Sequence, residues 1–358
     1  RPGFLSSGIR EGYLFPTYIL EIVMALPSVP FSPSQSSRPA LRLVSTKALP
    51  REDWLNVRRQ GIGSSDAAAA VGLNPYKSQL ELWLEKTGRD GLLPKTDPLD
   101  EESPAYWGNI LEPIVAAHYT RRSGNRVRRI NAVLQHPDPD LHWMLANIDR
   151  EVICAADVQI LECKTAGING SRLWKEGVPE YVQLQVQHQL VVTGKAAADV
   201  AVLLGGQHLE VHRIHRDEAL IARLIQLEAA FWRYVETDTP PPADGSESAE
   251  LALRCLYPQD KGIAVDFSTD RNLSATFADW LSVRQTLVET EKLEAKLKQT
   301  LQQAMGEASR AIFETGEVTW KKAKDSVVLD TARLLADQPD LLKTYGMQRQ
   351  GSRRFVLA

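Results

Sequence analysis

The sequence is short of cysteine, of net charge and of unbroken apolar runs, and each shortage closes a class of protein. Three cysteines occur in 358 residues, Cys154, Cys163 and Cys255, and none forms a C-x-x-C pair. That spacing excludes a disulfide framework and the familiar zinc and iron–sulfur patterns, and a reducing cytoplasm is the expected compartment. The formal charge is only -3 with 24% charged residues, so the chain is no basic coat protein, and any nucleic-acid contact must come from a local positive patch. The apolar run from Tyr13 to Phe31 is broken by Glu21, Pro16, Pro27 and Pro30. It predicts neither a membrane span nor a signal peptide.

The length allows a substantial core and two domains. Residues 1–49 are expected to form an extension without fixed structure. The first methionine is Met24, ahead of a Pro/Ser-rich stretch, so translation is expected to start there. Order is expected from Pro50 onward: a helix over 51–59, a tight Gly61-to-Asp66 turn, and a helix opened by a Ser78/Glu81 capping box and closed by Gly88. A polar loop follows over 90–104, then a helix ending near Gly124, with Pro113 placing Glu112 near its start or a kink. Strands at 200–204 and 209–214 precede a helix over 217–235 with an apolar stripe. A core over 50–240 is expected to end at a Pro-rich linker, 241–250. Residues 251–358 form an appendage with a long amphipathic helix, Leu273 to Met305, and strands at 316–324 and 352–357. Leu293, Leu297 and Leu301 predict core packing, since the repeat is short for a coiled coil. The cluster Arg349, Arg353 and Arg354 is expected at a solvated edge.

The chemistry concentrates between His142 and Thr165. Val158 to Lys164 is apolar and β-branched around its charges and predicts a buried strand. Side chains alternate along a strand, so Glu162 and Lys164 share a face while Cys163 takes the other. If the run through Asp149 pairs with it as a hairpin, two carboxylates and an ammonium converge. Carboxylate oxygens suit Mg²⁺, usually held by one or two carboxylates plus substrate phosphate, so the pattern predicts phosphodiester chemistry. E-x-K alone is weak: Glu294-Ala295-Lys296 repeats it in a helical run, where residues two apart share no face. Two other stretches could join the site. Arg58 and Arg59 flank the Gly63-Ser64-Ser65 turn, whose backbone N–H groups could meet an anion. In the helix after Pro179, Tyr181, Gln185, His188 and Gln189 share a face, and buried amides need partners such as a hydrated metal site would supply.

In order, the pieces are I-G-S-S after Arg58, W-G-N-I-L-E, A-N-I-D, L-E-C-K and Q-V-Q-H-Q-L-V-V-T-G. Together they resemble the lambda-exonuclease family, including its YqaJ-type phage recombination nucleases, within the PD-(D/E)xK nucleases. The resemblance covers residues 50 to 240. It implies an α/β fold, a central mixed sheet flanked by helices, with the smaller C-terminal part as an α+β appendage. Asp149 and Glu162 then look like metal ligands, with the Cys163 backbone carbonyl as a third. Lys164 resembles the catalytic lysine, Glu112 the glutamate of a second metal and Gln185 the site glutamine, while Arg58 and Ser65 resemble contacts to a DNA 5′ end. One departure is visible: relatives often place a proline before the aspartate and a glycine after it, where this chain has Ile148 and Arg150. The implied activity is a Mg²⁺-dependent 5′-to-3′ exonuclease on linear double-stranded DNA, with Mn²⁺ as an alternative ion. A homo-oligomer and a single-strand annealing recombinase as partner are also implied. The competing expectations are a structure-specific or restriction-type endonuclease and a non-catalytic DNA-binding scaffold.

Overall fold

The computed structural model describes residues 10–11, 39–94, 97, 100–348, 351 and 353–357. The expectations for Met24, for Tyr13 to Phe31 and for Arg349 lie outside the described residues. The chain divides at Pro258 and Gln259 into two compact units.

The first unit runs in the order β1 (Arg10–Glu11), β2 (Leu41–Ser45), α1 (Arg51–Arg59), β3 (Ile62–Gly63), α2 (Ala67–Ala70), α3 (Gln79–Lys86) and α4 (Pro104–Ser123). Then come β4 (Arg126–Arg129), β5 (Ala132–Gln135), β6 (Met144–Ala146), β7 (Arg150–Ile153), β8 (Ile160–Ala166) and α5 (Glu180–Thr193). The unit closes with β9 (Ala197–Leu204), β10 (His208–His215), α6 (Glu218–Glu236) and α7 (Glu247–Leu256). A six-stranded mixed sheet has the order β1-β10-β9-β8-β7-β4, and a four-stranded sheet the order β2-β5-β6-β3. In the larger sheet β8 and β9 are parallel, with α5 as the crossover helix such a pair requires, while β7 and β8 pair antiparallel.

Burial on both faces explains the nearly unbroken apolar sequence of β9. Ile160, Val200 and Val202 pack with Val182, Val186 and Leu190 of α5 and Ile221 of α6. Their strand neighbours Leu161 and Ala201 pack with Val115, Ala116 and Tyr119 of α4. The sheet is therefore the middle layer, with α4 on one face and α5 and α6 on the other. The smaller sheet contributes Ile62, Leu134, Met144 and Ala146 to the α5 side. Gly61 is fixed by contact: a Cβ there would sit 2.3 Å from the Trp143 carbonyl oxygen, the oxygen that accepts the Ile62 N–H at 2.7 Å.

Several expected boundaries differ. Strand β2 pairs antiparallel with β5, so order begins ahead of Pro50, inside the expected extension. Helix α4 starts at Pro104 behind a Ser103 cap and carries Pro113 in its interior; Glu112 is therefore mid-helix. The Ser78 hydroxyl accepts the Glu81 N–H at 3.1 Å, but the second half of the expected capping box is made elsewhere: the Ser78 N–H donates to Ser248 Oγ at 2.8 Å. Ser248 lies on α7, whose Ala249 and Ala252 are buried. That helix begins inside the expected 241–250 linker and belongs to the first unit.

In the second unit, α8 (Arg271–Met305) precedes the hairpin β11 (Arg310–Phe313) and β12 (Gly316–Thr319), then α9 (Thr331–Asp337) and α10 (Asp340–Tyr345). The hairpin replaces the single strand expected over 316–324, and Arg353 to Leu357 are not a strand. The core packing expected of α8 is not found: Leu297 is 58% exposed and no residue of the helix is buried. Among the described residues no helix is long and apolar enough to cross a membrane.

Candidate active site

The hairpin expected through Asp149 forms. Arg150 opens β7 opposite Leu161 of β8, and Asp149, one residue earlier, accepts the Cys163 backbone N–H on Oδ2 at 2.8 Å. Two residues apart on β8, Glu162 and Lys164 meet on one face, with Lys164 Nζ 2.8 Å from Glu162 Oε1. Cys163 points the other way and packs beside the α4 cluster. Burial, with the charges of Asp149 and Glu162, pushes its thiol above the ordinary value. A thiolate ligand is thereby disfavoured, and only the backbone carbonyl of this residue is a candidate ligand.

Helix α5 supplies the second wall. Gln185 Nε2 donates to Glu162 Oε1 at 2.6 Å, and Gln189 Nε2 donates to Glu162 Oε2 at 2.7 Å. Gln185 turns its carbonyl to Lys164 Nζ at 2.9 Å. Glu162, only 3% exposed, is thus held by both amides and the ammonium, as a buried carboxylate must be. Gln189 also donates to the Asn147 carbonyl at 3.1 Å, joining α5 to the segment that carries Asp149.

The charges set the protonation states. Burial first, then the charge of Glu162 and more weakly that of Glu112, push Asp149 up to about 8. For Lys164 burial works against the charge, but Glu162 and Asp149 overcome it and hold its pKa above the ordinary lysine value. Lys164 is therefore an ammonium, a donor and a positive charge but not a base.

Glu112 has a different neighbour from the one expected. Arg150, 8% exposed, forms an ion pair with Glu112 Oε1 and donates to the Asp149 carbonyl at 2.7 Å. The residue standing where relatives often have glycine therefore ties the helix glutamate to the hairpin. Among the described residues no three His, Cys, Asp or Glu side chains group to hold a metal ion. The candidate donor set is two carboxylates and a backbone carbonyl, all oxygen, a chemistry that suits Mg²⁺. A cation there would also relieve the repulsion that raises Asp149.

The turn after β3 forms a second polar cluster. Arg58 Nη2 reaches Asp66 Oδ1 at 2.5 Å and Ser65 Oγ at 3.4 Å, and its guanidinium lies 4.9 Å from the centre of the Trp54 ring. Lys86 Nζ donates to Asp66 Oδ2 at 2.6 Å and to the Arg58 carbonyl at 2.8 Å. Sequence reading found Arg58 and Ser65 but missed Asp66 and Lys86. Ser64 Oγ donates to the Asn147 carbonyl at 3.4 Å, so this turn adjoins the Asp149 segment. His188, expected on the Gln185 and Gln189 face, instead turns to Glu228, 2.8 Å away between Nδ1 and Oε1, and to the Leu145 carbonyl. Glu228 and the Arg150 ion pair with Glu112 were not legible in the sequence.

Fold and site together define a mixed α/β sheet bearing an aspartate at a hairpin and Glu-x-Lys on the next strand, the PD-(D/E)xK pattern. Residues 53–196 match the YqaJ-like viral recombinase domain family. The chain is 33% identical over 311 residues to the uncharacterized protein YqaJ of Bacillus subtilis strain 168, covering 86% of this chain and 94% of that one. It belongs to the YqaJ family. Among solved structures it is similar to an alkaline exonuclease, LHK-Exo, from Laribacter hongkongensis. That match has 22% identity and a TM-score of 0.44, over 52% of this chain and 93% of the other. It is also similar to a phage-related exonuclease from Haemophilus somnus 129PT, with 12% identity and a TM-score of 0.36, over 51% and 97% of the two chains.

Proposed function

We propose that this chain is a Mg²⁺-dependent DNA exonuclease that digests linear duplex 5′ to 3′ and leaves 3′ single strands for homologous recombination. The observation that carries the reading is the meeting of Asp149, Glu162 and Lys164 at the middle of β8, with Gln185 bridging Glu162 and Lys164. Membership of a family described as a viral recombinase domain supports the substrate and the setting. Asp149, Glu162 and the Cys163 carbonyl would hold the ion, which when bound supplies Lewis-acid polarisation of the scissile phosphate. Lys164 donates to the phosphate or to the attacking water and balances the charge that develops on phosphorus. Gln185 aims that ammonium. Glu112, engaged by Arg150, would have to exchange the arginine to serve a second ion. A duplex DNA end, a second copy of the chain and a strand-annealing recombinase are the proposed partners.

The test is digestion of linear duplex and of a covalently closed circle of the same sequence, each with Mg²⁺ and with EDTA. Loss of the linear substrate alone, and only with metal, is expected. Cleavage of the circle would make the chain an endonuclease, and no cleavage of either would leave a binding scaffold.

The 5′ end gives a second expectation. Arg58 and Ser65 lie together beside the Asp149 segment, so a terminal phosphate would gain charge-assisted bonds that a hydroxyl lacks. Arg58→Ala is expected to shrink the preference for 5′-phosphorylated ends more than it slows digestion of hydroxyl ends. Because Arg58 also neutralises buried Asp66, equal losses on both substrates would assign it a folding role only.

A further inference from the structure

His188 is completely buried and belongs to no step described above. Its two ring nitrogens face a carboxyl oxygen and a backbone carbonyl. Nδ1 lies 2.8 Å from Glu228 Oε1, on α6, and Nε2 lies 2.9 Å from the Leu145 carbonyl, on β6. A neutral imidazole has one N–H and one lone pair. Against an ionised Glu228 either neutral tautomer would point a lone pair at a lone pair inside the core, and only the doubly protonated ring satisfies both contacts. The other satisfied arrangement is a neutral pair in which protonated Glu228 donates to Nδ1, and it leaves the ring one proton. An ionised Glu228 would need the imidazolium charge, because it is fully buried and its Oε2 has no hydrogen-bond partner among the described residues.

We propose that His188 is a constitutive imidazolium that positions the two carboxylates of the active site. It ties the helix that grips Glu162 to the strand that runs into Asp149. The geometry is direct. Helix α5 holds Glu162 through Gln185 and Gln189, and Gln189 reaches the Asn147 carbonyl. One residue before Gln189, His188 pins the same helix to Leu145, four positions ahead of Asp149 in the chain. Glu228 locks the imidazolium from behind. Burial alone would drive the proton off, but the charge and hydrogen bond of Glu228, then the Leu145 carbonyl and the charge of Asp66 on the turn after β3, raise the His188 pKa above the ordinary value. Across from it His136 is held low, by burial first and in part by the charge of His188. His188 is a positioning residue: it touches neither substrate nor metal. The claim about catalysis rests on the nuclease reading above; the claim about charge does not.

The experiment is NMR of the full-length chain labelled with ¹⁵N-histidine, alongside cleavage kinetics. In the native chain the His188 ring is expected to keep protons on both nitrogens above the ordinary histidine value of about 6.5. Glu228→Gln removes the counter-charge, and its His188 is expected to lose one ring proton at or below the ordinary value, because burial alone drives the proton off. At temperatures where the variant is fully folded, kcat on linear duplex is then expected to fall about tenfold as pH rises through that loss while KM moves little. A misplacement of about 1 Å can cost on the order of a hundredfold. The native profile should lack this limb. A single protonated ring nitrogen in the native chain at neutral pH would overturn the charge. A Glu228→Gln pH profile superimposable on the native one would overturn the positioning role.

Stability gives a readout that survives if the chain cleaves no DNA at all. A histidine with a raised folded pKa stabilises fully below the unfolded value, and that contribution is lost as pH rises through the folded value. The native melting temperature is therefore expected to show a His188-dependent decline on the alkaline side, and Glu228→Gln is expected to lack it. The same decline in both proteins would also overturn the charge. Active-site failure with a correct NMR signature would instead point to the nuclease reading.

Discussion

Lys164→Ala is expected to reduce the single-turnover cleavage rate at saturating DNA by roughly 10²–10³, the usual cost of removing one preorganised donor from a transition state. DNA affinity and Mg²⁺ uptake should be nearly unchanged, because phosphate contacts elsewhere position the duplex and an ammonium is no metal ligand. The ammonium is fixed by Glu162 Oε1 at 2.8 Å and Gln185 Oε1 at 2.9 Å, so Lys164→Arg, with a longer planar head, should not restore the rate. Near-normal turnover in Lys164→Ala would end the role assigned to it. Asp149→Asn should abolish activity by a different route, through loss of a charged ligand, and it carries an opposite sign for stability. Asp149 is raised to about 8 by burial and by Glu162, whereas an unfolded aspartate ionises near 3.9. Ionised Asp149 therefore costs the metal-free fold stability that is fully available below about pH 4 and lost as pH climbs to about 8. The asparagine variant should melt higher than the native chain at pH 8 without metal, an inactive protein that is more stable.

The part of the site legible in the sequence is the part written in local periodicity. A period of two put Glu162 and Lys164 on one face, and helical spacing put Gln185 with Gln189; both hold in the structure. What was not legible are the partners that only tertiary folding supplies. Asp66 with Lys86, Glu112 with Arg150 and His188 with Glu228 each join separate elements, and no spacing rule connects them. The 241–250 region looked like a linker because Pro240, Pro241 and Pro242 stand at its start. Helix α7 docks through Ala249, Ala252 and Ser248, small residues that carry little hydrophobic signal. The apolar stripe of α8 was legible as amphipathic, yet a stripe does not say whether its partner lies in the same chain, and here none of it is buried.

Asp66→Ala is expected to be the most damaging change to the fold. The carboxylate is 2% exposed and serves two cations, Arg58 at 2.5 Å and Lys86 at 2.6 Å. Burial alone would raise its pKa, but Lys86 and Arg58 together hold it far below the ordinary carboxylate range. Lys86 is pulled the other way, below the ordinary lysine value, because its own burial outweighs the help from Asp66. Removing Asp66 leaves a buried lysine and a partly buried arginine without a counter-charge, a loss of roughly 3–5 kcal/mol. At about 2–4 °C per kcal/mol for a unit of this size, the melting temperature should drop by on the order of 10 °C. Lys86→Met should be far milder, since Asp66 keeps Arg58 and the apolar stem is replaced. Acid should reproduce the aspartate loss with the sign of a depressed carboxylate: the contribution is present above the unfolded value of about 3.9 and is lost as pH falls through the folded one. Calorimetry of the two variants decides the matter. If Lys86→Met proves the more destabilising, the ammonium rather than the carboxylate is the centre of the cluster.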